Sequence, residues 1–340
     1  MVLVSIIFVN YKGKKEDIRT CLSSLYRQTM KDFEVILVDN DSLDDSVDYV
    51  RENFPKVKII QNKNTGFAAG NNLGVKHAKG KYVFILNLDT ELDKDCLKEL
   101  VGCAQRNKDA AISCKILLFE KKNRINTTGM AFHYLGYGWC DNLERNEKTF
   151  SDEMEVTFPS GAAFLVERSI YNKMGGFDES YFFYCEDSDF GWRMRLRGYR
   201  VVMASKAKVY HKYFFSRHGK KVYFTERNRL ISILKNYETK TLFLILPPLL
   251  LTELGVSLYL FASRNQSFLN KVAGYYWIIR HFDKILWARS RVQKFRTVPD
   301  REIIKHFKDK IEFKYIQSSL IDSGLNPFLA AYWKSIKPLI

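Results

Sequence analysis

Short, mostly apolar runs punctuate the first 120 residues: Val2–Val9, Phe33–Val38, Val57–Ile60, Tyr82–Leu86 (unbroken) and Ala110–Phe119. Each is rich in β-forming residues and short for a helix, which is the pattern of strands buried on both faces of a parallel sheet. Between them lie stretches with helical spacing, the first marked by Ile18, Leu22 and Leu25, then Ser46–Phe54, Asn64 to about His77, and Leu92–Asn107. Strand–helix alternation of this kind predicts an α/β fold with a doubly wound, mostly parallel sheet and right-handed crossovers. Glu120–Met154 is less regular and predicts hairpins or a covering loop. Pro159–Val166 then returns as a strand and Ser169–Met174 as a short helix. Phe182–Asp189 leads into a helix ending near Gly198, and Tyr199–Met203 and Lys208–His211 are the last strand pieces.

From about Thr225 the texture changes. Thr225–Asn236 is amphipathic with helical period, and 242–262 is a mostly apolar run interrupted by Pro247, Pro248, Thr252, Glu253 and Gly255. The run is long enough to cross a bilayer, yet paired prolines and an acid at its middle oppose a straight span. A segment lying in the membrane interface, a packed soluble core and a spanning helix all remain open. A segment rich in Arg, Lys, Tyr and Trp follows, which favours the interface. The expected organisation is an α/β domain over 1–236 and a helical, basic region over 237–340.

Composition adds one strong constraint. Of the 340 residues, 46% are hydrophobic and 27% charged, as in a folded globular protein. The formal net charge of +16 calls for an anionic partner: nucleic acid, acidic lipid or phosphate-bearing substrate. The six cysteines include no Cys-x-x-Cys pair, which argues against a zinc ribbon or a disulfide framework and fits a reducing compartment. The first ten residues lack a basic leader and read as a strand, not a signal peptide, so a cytoplasmic location is expected.

The candidate chemistry sits where apolar runs stop. Acidic or polar clusters follow the runs at Asp39–Ser42, Asn87–Asp89 and Glu186–Asp189, and another lies at the end of 208–211. In open α/β sheets ligands bind beyond the carboxyl ends of strands, and carboxylates gathered there repel unless a cation joins them. Asp89 therefore reads either as holding a divalent cation or as the N-cap of the next helix. The Asp39–Ser42 stretch fits a ligand contact or an Asx turn. Glu186, Asp187 and Asp189 fit a catalytic cluster or simple complementarity to a helix N-terminus. His211 is a metal ligand or a satisfied histidine, and Lys206, Lys208, Lys212, Arg217, Lys220 and Lys221 are an anion-binding stretch or a solvated face. The spacing in Asn64–Asn72 does not match the dinucleotide pattern Gly-x-Gly-x-x-Gly.

In order, Val4–Tyr11, Val38–Ser42, Asn64–Asn72, Leu86–Thr90, Pro159–Ala163, Gly176–Asp178 and Tyr184–Asp189 give the chain its resemblance to family 2 inverting glycosyltransferases of the GT-A fold. It is most similar to the group containing bacterial rhamnosyltransferases, and the likeness runs from residue 3 to about 236. The resemblance implies a nucleotide-sugar donor, a saccharide acceptor, often lipid-linked, and a Mg²⁺ or Mn²⁺ cofactor. It implies that Asp39 accepts hydrogen bonds from the base or ribose. Asn10, Asp41, Asn64, Gly66, Gly70, Asn71, Asn87, Asp89, Ser160 and Gly161 would border the nucleotide-sugar. Asp89 matches the last aspartate of the metal motif, with Asn87 where a second carboxylate might stand, and His211 is the further metal ligand. Asp187 is the expected catalytic base, with Glu186 and Asp189 as alternatives.

Rival readings are a processive polysaccharide synthase, a basic nucleic-acid-binding protein and an inactive sugar-nucleotide binder. The chain has no Gln-x-x-Arg-Trp and no set of several transmembrane helices, against the first. Acids at 39, 89 and 187 oppose the second. The expected partners are thus a nucleotide-sugar, an acceptor and an anionic membrane bound peripherally at its cytoplasmic face, without nucleic acid.

Overall fold

The computed structural model describes residues 2–213, 219–265, 267–314 and 320–340. Its first half alternates Val4–Asn10 (β1), Lys15–Tyr26 (α1), Phe33–Asn40 (β2), Ser46–Asn53 (α2), Lys58–Asn62 (β3), Gly66–Lys76 (α3) and Tyr82–Leu86 (β4). Thr90–Leu92 (β5), Cys96–Arg106 (α4) and Ala110–Leu118 (β6) follow, then the short strands Ile125–Thr127 (β7), Met130–Phe132 (β8), Gly138–Cys140 (β9) and Met154–Glu155 (β10). Ala163–Glu167 (β11), Arg168–Lys173 (α5), Glu186–Leu196 (α6) and Arg200–His211 (β12) complete the sheet region.

The main path of the ten-stranded sheet runs β10-β12-β6-β11-β4-β1-β2-β3. β1 pairs in parallel with both β2 and β4, so the order reverses at β1 and opens a crevice beyond the carboxyl ends of these strands. β11 is antiparallel and sets Ala163 opposite Leu86, which brings its amino end to the same edge. β12 is parallel to β6 and sets His211 opposite Leu118, and β5 sets Thr90 opposite His211. Period-two alternation divides β1 between two layers. Ile6 and Phe8 join Leu22, Leu37, Phe84, Leu97 and Leu100 in one core, while Ile7 and Val9 face α3.

Two expectations change here. Thr90–Leu92 is a strand, and the helix after it begins only at Cys96. Asp89 is therefore not a helix cap. The pieces 199–203 and 208–211 are one strand, β12, whose register against β6 shifts between Ala204 and Lys208.

The described residues divide into two compact units, one within Met1–Met130, Cys140–Gly191 and Tyr199–Phe214, the other within Ala131–Trp139, Trp192–Gly198 and Phe215–Ile340. This differs from a single boundary at 236. The second unit contains Gly219–Asn236 (α7), Thr239–Ala262 (α8), Ser267–Arg280 (α9), Phe282–Phe295 (α10), Asp300–Ile303 (α11) and Asn326–Ile336 (α12). Trp192 packs edge-on against Tyr237 and Phe307, and Tyr134 stacks on Trp333 at 4.3 Å.

α7 belongs with the later helices because it shares their buried charges. Arg229 binds Glu226 (3.0 Å), Glu253 of α8 and the Leu135 carbonyl (2.9 Å). Lys271 of α9 binds Glu226 and also Glu253 (2.7 Å). Burial would raise the Glu253 carboxyl, but Arg229 and Lys271 prevail and hold it down to about 2. Its contribution to stability is present above the ordinary carboxylate range and is lost as pH falls through about 2. Glu253→Gln leaves both cations short of a counter-charge and is expected to cost about 2 kcal/mol. Urea denaturation of the full chain checks this, and a change within ±0.5 kcal/mol would contradict it.

Candidate functional site

At the β1–β2 end, Asn10 and Asp39 are register partners and both are buried. Asn10 Nδ2 donates to Asp39 Oδ1 (2.9 Å), Ser42 Oγ (2.9 Å) and Ser46 Oγ (2.8 Å), and Asn10 Oδ1 accepts from Gly13 N (3.2 Å). Ser42 Oγ also donates to Asp39 Oδ1, while Asp39 Oδ2 takes, among the described residues, only the long bond from Ser42 N (3.4 Å). Asn10 is thus the clamp that orients Asp39, and one Asp39 oxygen keeps accepting capacity. The turn that follows carries Asp41 and Leu43 at φ 61° and 52°, left-handed values that cost energy for non-glycine residues. Asp41 is exposed.

Two strands away, the loop after β4 builds the second part. The Asp89 carbonyl accepts from Lys212 N (2.9 Å), and Asp89 Oδ1 lies 3.3 Å from His211 Nε2. His211 Nδ1 is 2.9 Å from Oδ1 of the buried Asn126. That contact leaves Nε2 as the ring nitrogen facing Asp89. A carboxylate oxygen and an imidazole nitrogen each about 2.1 Å from one cation stand about 3 Å apart, so the pair fits two neighbouring ligands. Among the described residues no group of three His, Cys, Asp or Glu side chains gathers as a closed metal site. A cation here therefore draws its remaining ligands from elsewhere. Asn87, partly buried, contributes a backbone N–H to the Ala162 carbonyl (2.9 Å).

The residue before Ala162 reaches the third part. Gly161 N donates to Asp187 Oδ2 (2.7 Å), and Ser188 N donates to Oδ1 (2.7 Å) at the start of α6. Burial raises the Asp187 carboxyl above its ordinary range, against the pull of these donors. Glu186 is 4% exposed, its Oε2 has no hydrogen-bond partner among the described residues, and burial together with the neighbouring Asp187 charge pushes it well up. Paired carboxyls of this kind separate, one holding a proton while the other ionises. Asp189 is fully buried and accepts from the Tyr181 hydroxyl (3.2 Å), so it braces the turn and does not face the opening. Phe182, Tyr184 and Cys185 hold φ values of 62°, 68° and 67° just before the acids, and Phe183, 39% exposed, packs tilted against Tyr184 at 4.0 Å. A strained turn presenting an exposed ring beside an acid pair is the kind of segment found at ligand sites.

Asp39, Asp89, His211 and Asp187 thus share one sheet edge. Adjacent strands lie about 4.8 Å apart, so Asp39 is on the order of 10 Å across from the β4 loop, a span that suits a nucleoside and its diphosphate. Ser160 is buried behind this edge and accepts from Ala162 N (3.4 Å).

The 64–72 stretch is used differently from expectation. A Cβ on Gly66 (φ 92°) would lie 2.4 Å from the Phe182 carbonyl, which Phe67 N also binds (2.7 Å). A Cβ on Gly70 would touch Val9 at 3.0 Å, and one on Gly74 would lie 2.5 Å from Ile7. These glycines let α3 close on the sheet and on the 182 turn. Asn71 is buried and donates within its own helix to the Phe67 carbonyl (2.9 Å). Asn64 is exposed and its Oδ1 accepts from Gly66 N (3.2 Å). Gly66→Ala combines the strained φ with the clash and is expected to lower stability by about 2 kcal/mol, read as a lower thermal midpoint; an unchanged midpoint would contradict this. In the basic stretch, Lys208 pairs with Glu147 (3.2 Å) and Lys212 with Asp17, Lys206 is exposed, and Arg217 lies outside the described residues. Asn126 was not anticipated from the sequence.

Three comparisons bear on this arrangement. The model of the family described as Glycosyl transferase family 2 matches residues 5–175. O-antigen biosynthesis protein RfbC of Myxococcus xanthus is 31% identical over 218 residues, 60% of this chain and 17% of that protein. The N-acetylglucosaminyl-diphospho-decaprenol L-rhamnosyltransferase of Mycobacterium tuberculosis is 26% identical over 214 residues, 56% of this chain and 70% of that one. The crystal structure of GalNAc-T7 with UDP, GalNAc and Mn²⁺ superposes with a TM-score of 0.61 at 16% identity, over 73% of this chain and 51% of that one, a likeness of fold.

Proposed function

The chain belongs to glycosyl transferase family 2, and from that premise we propose that it moves one sugar from a nucleotide-diphospho-sugar to a saccharide acceptor with inversion, in glycan or surface polysaccharide assembly. The observation that carries this is the Asp187 carboxylate, held by Gly161 N at 2.7 Å on the edge that also holds Asp89 and His211 3.3 Å apart. Asp39 binds the nucleoside. Asp187 takes the proton from the acceptor hydroxyl as that oxygen bonds to the anomeric carbon, and the bond from that carbon to the diphosphate oxygen breaks on the opposite face. Glu186, carrying its proton to higher pH, leaves Asp187 as the ionised member.

Asp89 and His211 would hold Mg²⁺ or Mn²⁺. A cation there supplies Lewis-acid stabilisation of the departing diphosphate. GalNAc-T7 carries Mn²⁺ with UDP, which supports this cofactor class. The acceptor in this reading is lipid-linked, as the name of the mycobacterial relative states for that protein, and the enzyme works peripherally at the cytoplasmic face of an anionic membrane. A screen of UDP-, GDP-, dTDP- and CMP-sugars with Mg²⁺ or Mn²⁺, reading nucleotide release, tests the function. Turnover of one donor class is expected. A folded protein that neither binds nor cleaves any of them would contradict it.

A further inference from the structure

The helices after residue 239 carry their polarity inside out. α8 buries Thr241, Ile245, Leu249 and Thr252 and turns Glu253 into the charge network of its own unit. Its opposite stripe is Phe243, Leu246, Leu250, Leu254, Leu258 and Phe261, each 42–71% exposed. α9 goes further. It buries Lys271, at 1% exposure and bound to Glu226 and Glu253, while Leu269, Val272, Tyr276 and Ile279 stand 43–76% exposed. Helices on a water-facing surface place charge outward, and a contiguous apolar patch of this size marks an interaction surface.

The charges around the patch identify what it meets. Between Thr239 and Phe295 the described exposed cations are Lys240, Arg264, Arg280, Lys284, Arg291 and Lys294, against the single exposed acid Asp283. A second copy would bring the same positive rim against this one and be repelled. An anionic lipid surface complements both parts: acyl chains receive the apolar stripe and headgroups receive the cations. Exposed Trp287 on α10, 62% accessible beside Arg291, suits the headgroup depth.

We propose that the outer stripes of α8 and α9, with Trp287 of α10, form a monotopic docking face that lies in the surface of an anionic bilayer. α8 does not cross it, because spanning would pull Glu253 from Lys271 and Arg229 and leave two buried cations sharing the single carboxylate of Glu226. This deepens the lipid-linked-acceptor reading and rests on it for its purpose, though not for its geometry.

The test is flotation of the full chain with phosphatidylcholine vesicles containing roughly one third phosphatidylglycerol, and with phosphatidylcholine alone. Wild type is expected to float with the anionic vesicles and much less with the neutral ones. Leu250→Glu/Leu254→Glu, and separately Ile279→Glu, place acids on exposed positions and are expected to cut recovery roughly tenfold or more, with unchanged thermal midpoints. Unaltered recovery of both variants, or no flotation of wild type, would overturn the proposal. So would wild-type self-association abolished by these substitutions without vesicle binding, since the face would then join copies. Nucleotide-sugar turnover measured on the same samples separates the two readings. Flotation without turnover defeats the enzyme reading alone, and turnover without flotation defeats the docking face alone.

Discussion

Asp187→Asn is expected to lower sugar transfer by about 10³-fold or more while donor affinity stays within about twofold. The amide keeps the volume, and its carbonyl can keep the 2.7 Å contact with Gly161 N, while its NH2 takes the place of the oxygen that accepts from Ser188 N. What is lost is the ability to take a proton, and a group that acts only as the acceptor hydroxyl reacts leaves ground-state binding of the donor untouched. The pH profile carries a second signature. Burial raises the Asp187 carboxyl, so the ionised base is lost as pH falls through a value above the ordinary carboxylate range. The acidic limb of kcat/KM should therefore lie above that range. Glu186→Gln should leave the limb in place, because Glu186 holds its proton through that range and puts no charge beside Asp187. Asp187→Asn with near wild-type transfer would mean that the base is elsewhere. An inactive sugar-nucleotide binder would show no transfer in wild type either.

Asp89→Ala is expected to reduce turnover by about 10²–10³-fold and to weaken the dependence on Mn²⁺, whereas Asn87→Ala costs far less. The asymmetry follows from the donors. Asp89 offers an anionic oxygen 3.3 Å from the His211 nitrogen, while the Asn87 contact in the structure is through its backbone N–H to Ala162, which alanine retains. Because Asp89 and His211 are only two side-chain donors, metal binding without nucleotide should be weak and should tighten when a nucleoside diphosphate is added. Asn126→Ala releases the His211 ring and should raise the Mn²⁺ requirement on the order of tenfold. Titration of Mn²⁺ against turnover in the variants measures each effect. Equal losses from Asp89→Ala and Asn87→Ala would show that the cation, if bound, is not anchored at Asp89.

Much of this was readable along the chain, for a physical reason. Strands buried on both faces are mostly apolar, so β1, β2, β4 and β6 stand out along the chain, and the acids that follow β2 and β4 fall at one sheet edge by topology alone. β5 escaped because three residues between Asp89 and a helix merge into the helical pattern. Gly66 and Gly70 show how an absent Cβ serves helix–sheet packing as well as ligand approach, two uses that a sequence pattern does not separate. Asn126 was invisible because its partner His211 lies 85 residues away, in a region without periodicity. The division of the chain was hidden for a related reason: Arg229 and Lys271 look like surface charges until Glu226 and Glu253 are seen enclosing them.

The central claim is a single displacement driven by one carboxylate base. The most direct measurement is the proton NMR spectrum of the first sugar released when water replaces the acceptor, recorded before mutarotation with the donor that the screen identifies. The account predicts that this sugar has the anomeric configuration opposite to that of the donor, and that Asp187→Asn forms it at least about 10³-fold more slowly. Release with the donor's own configuration, or at an undiminished rate in the variant, would contradict it.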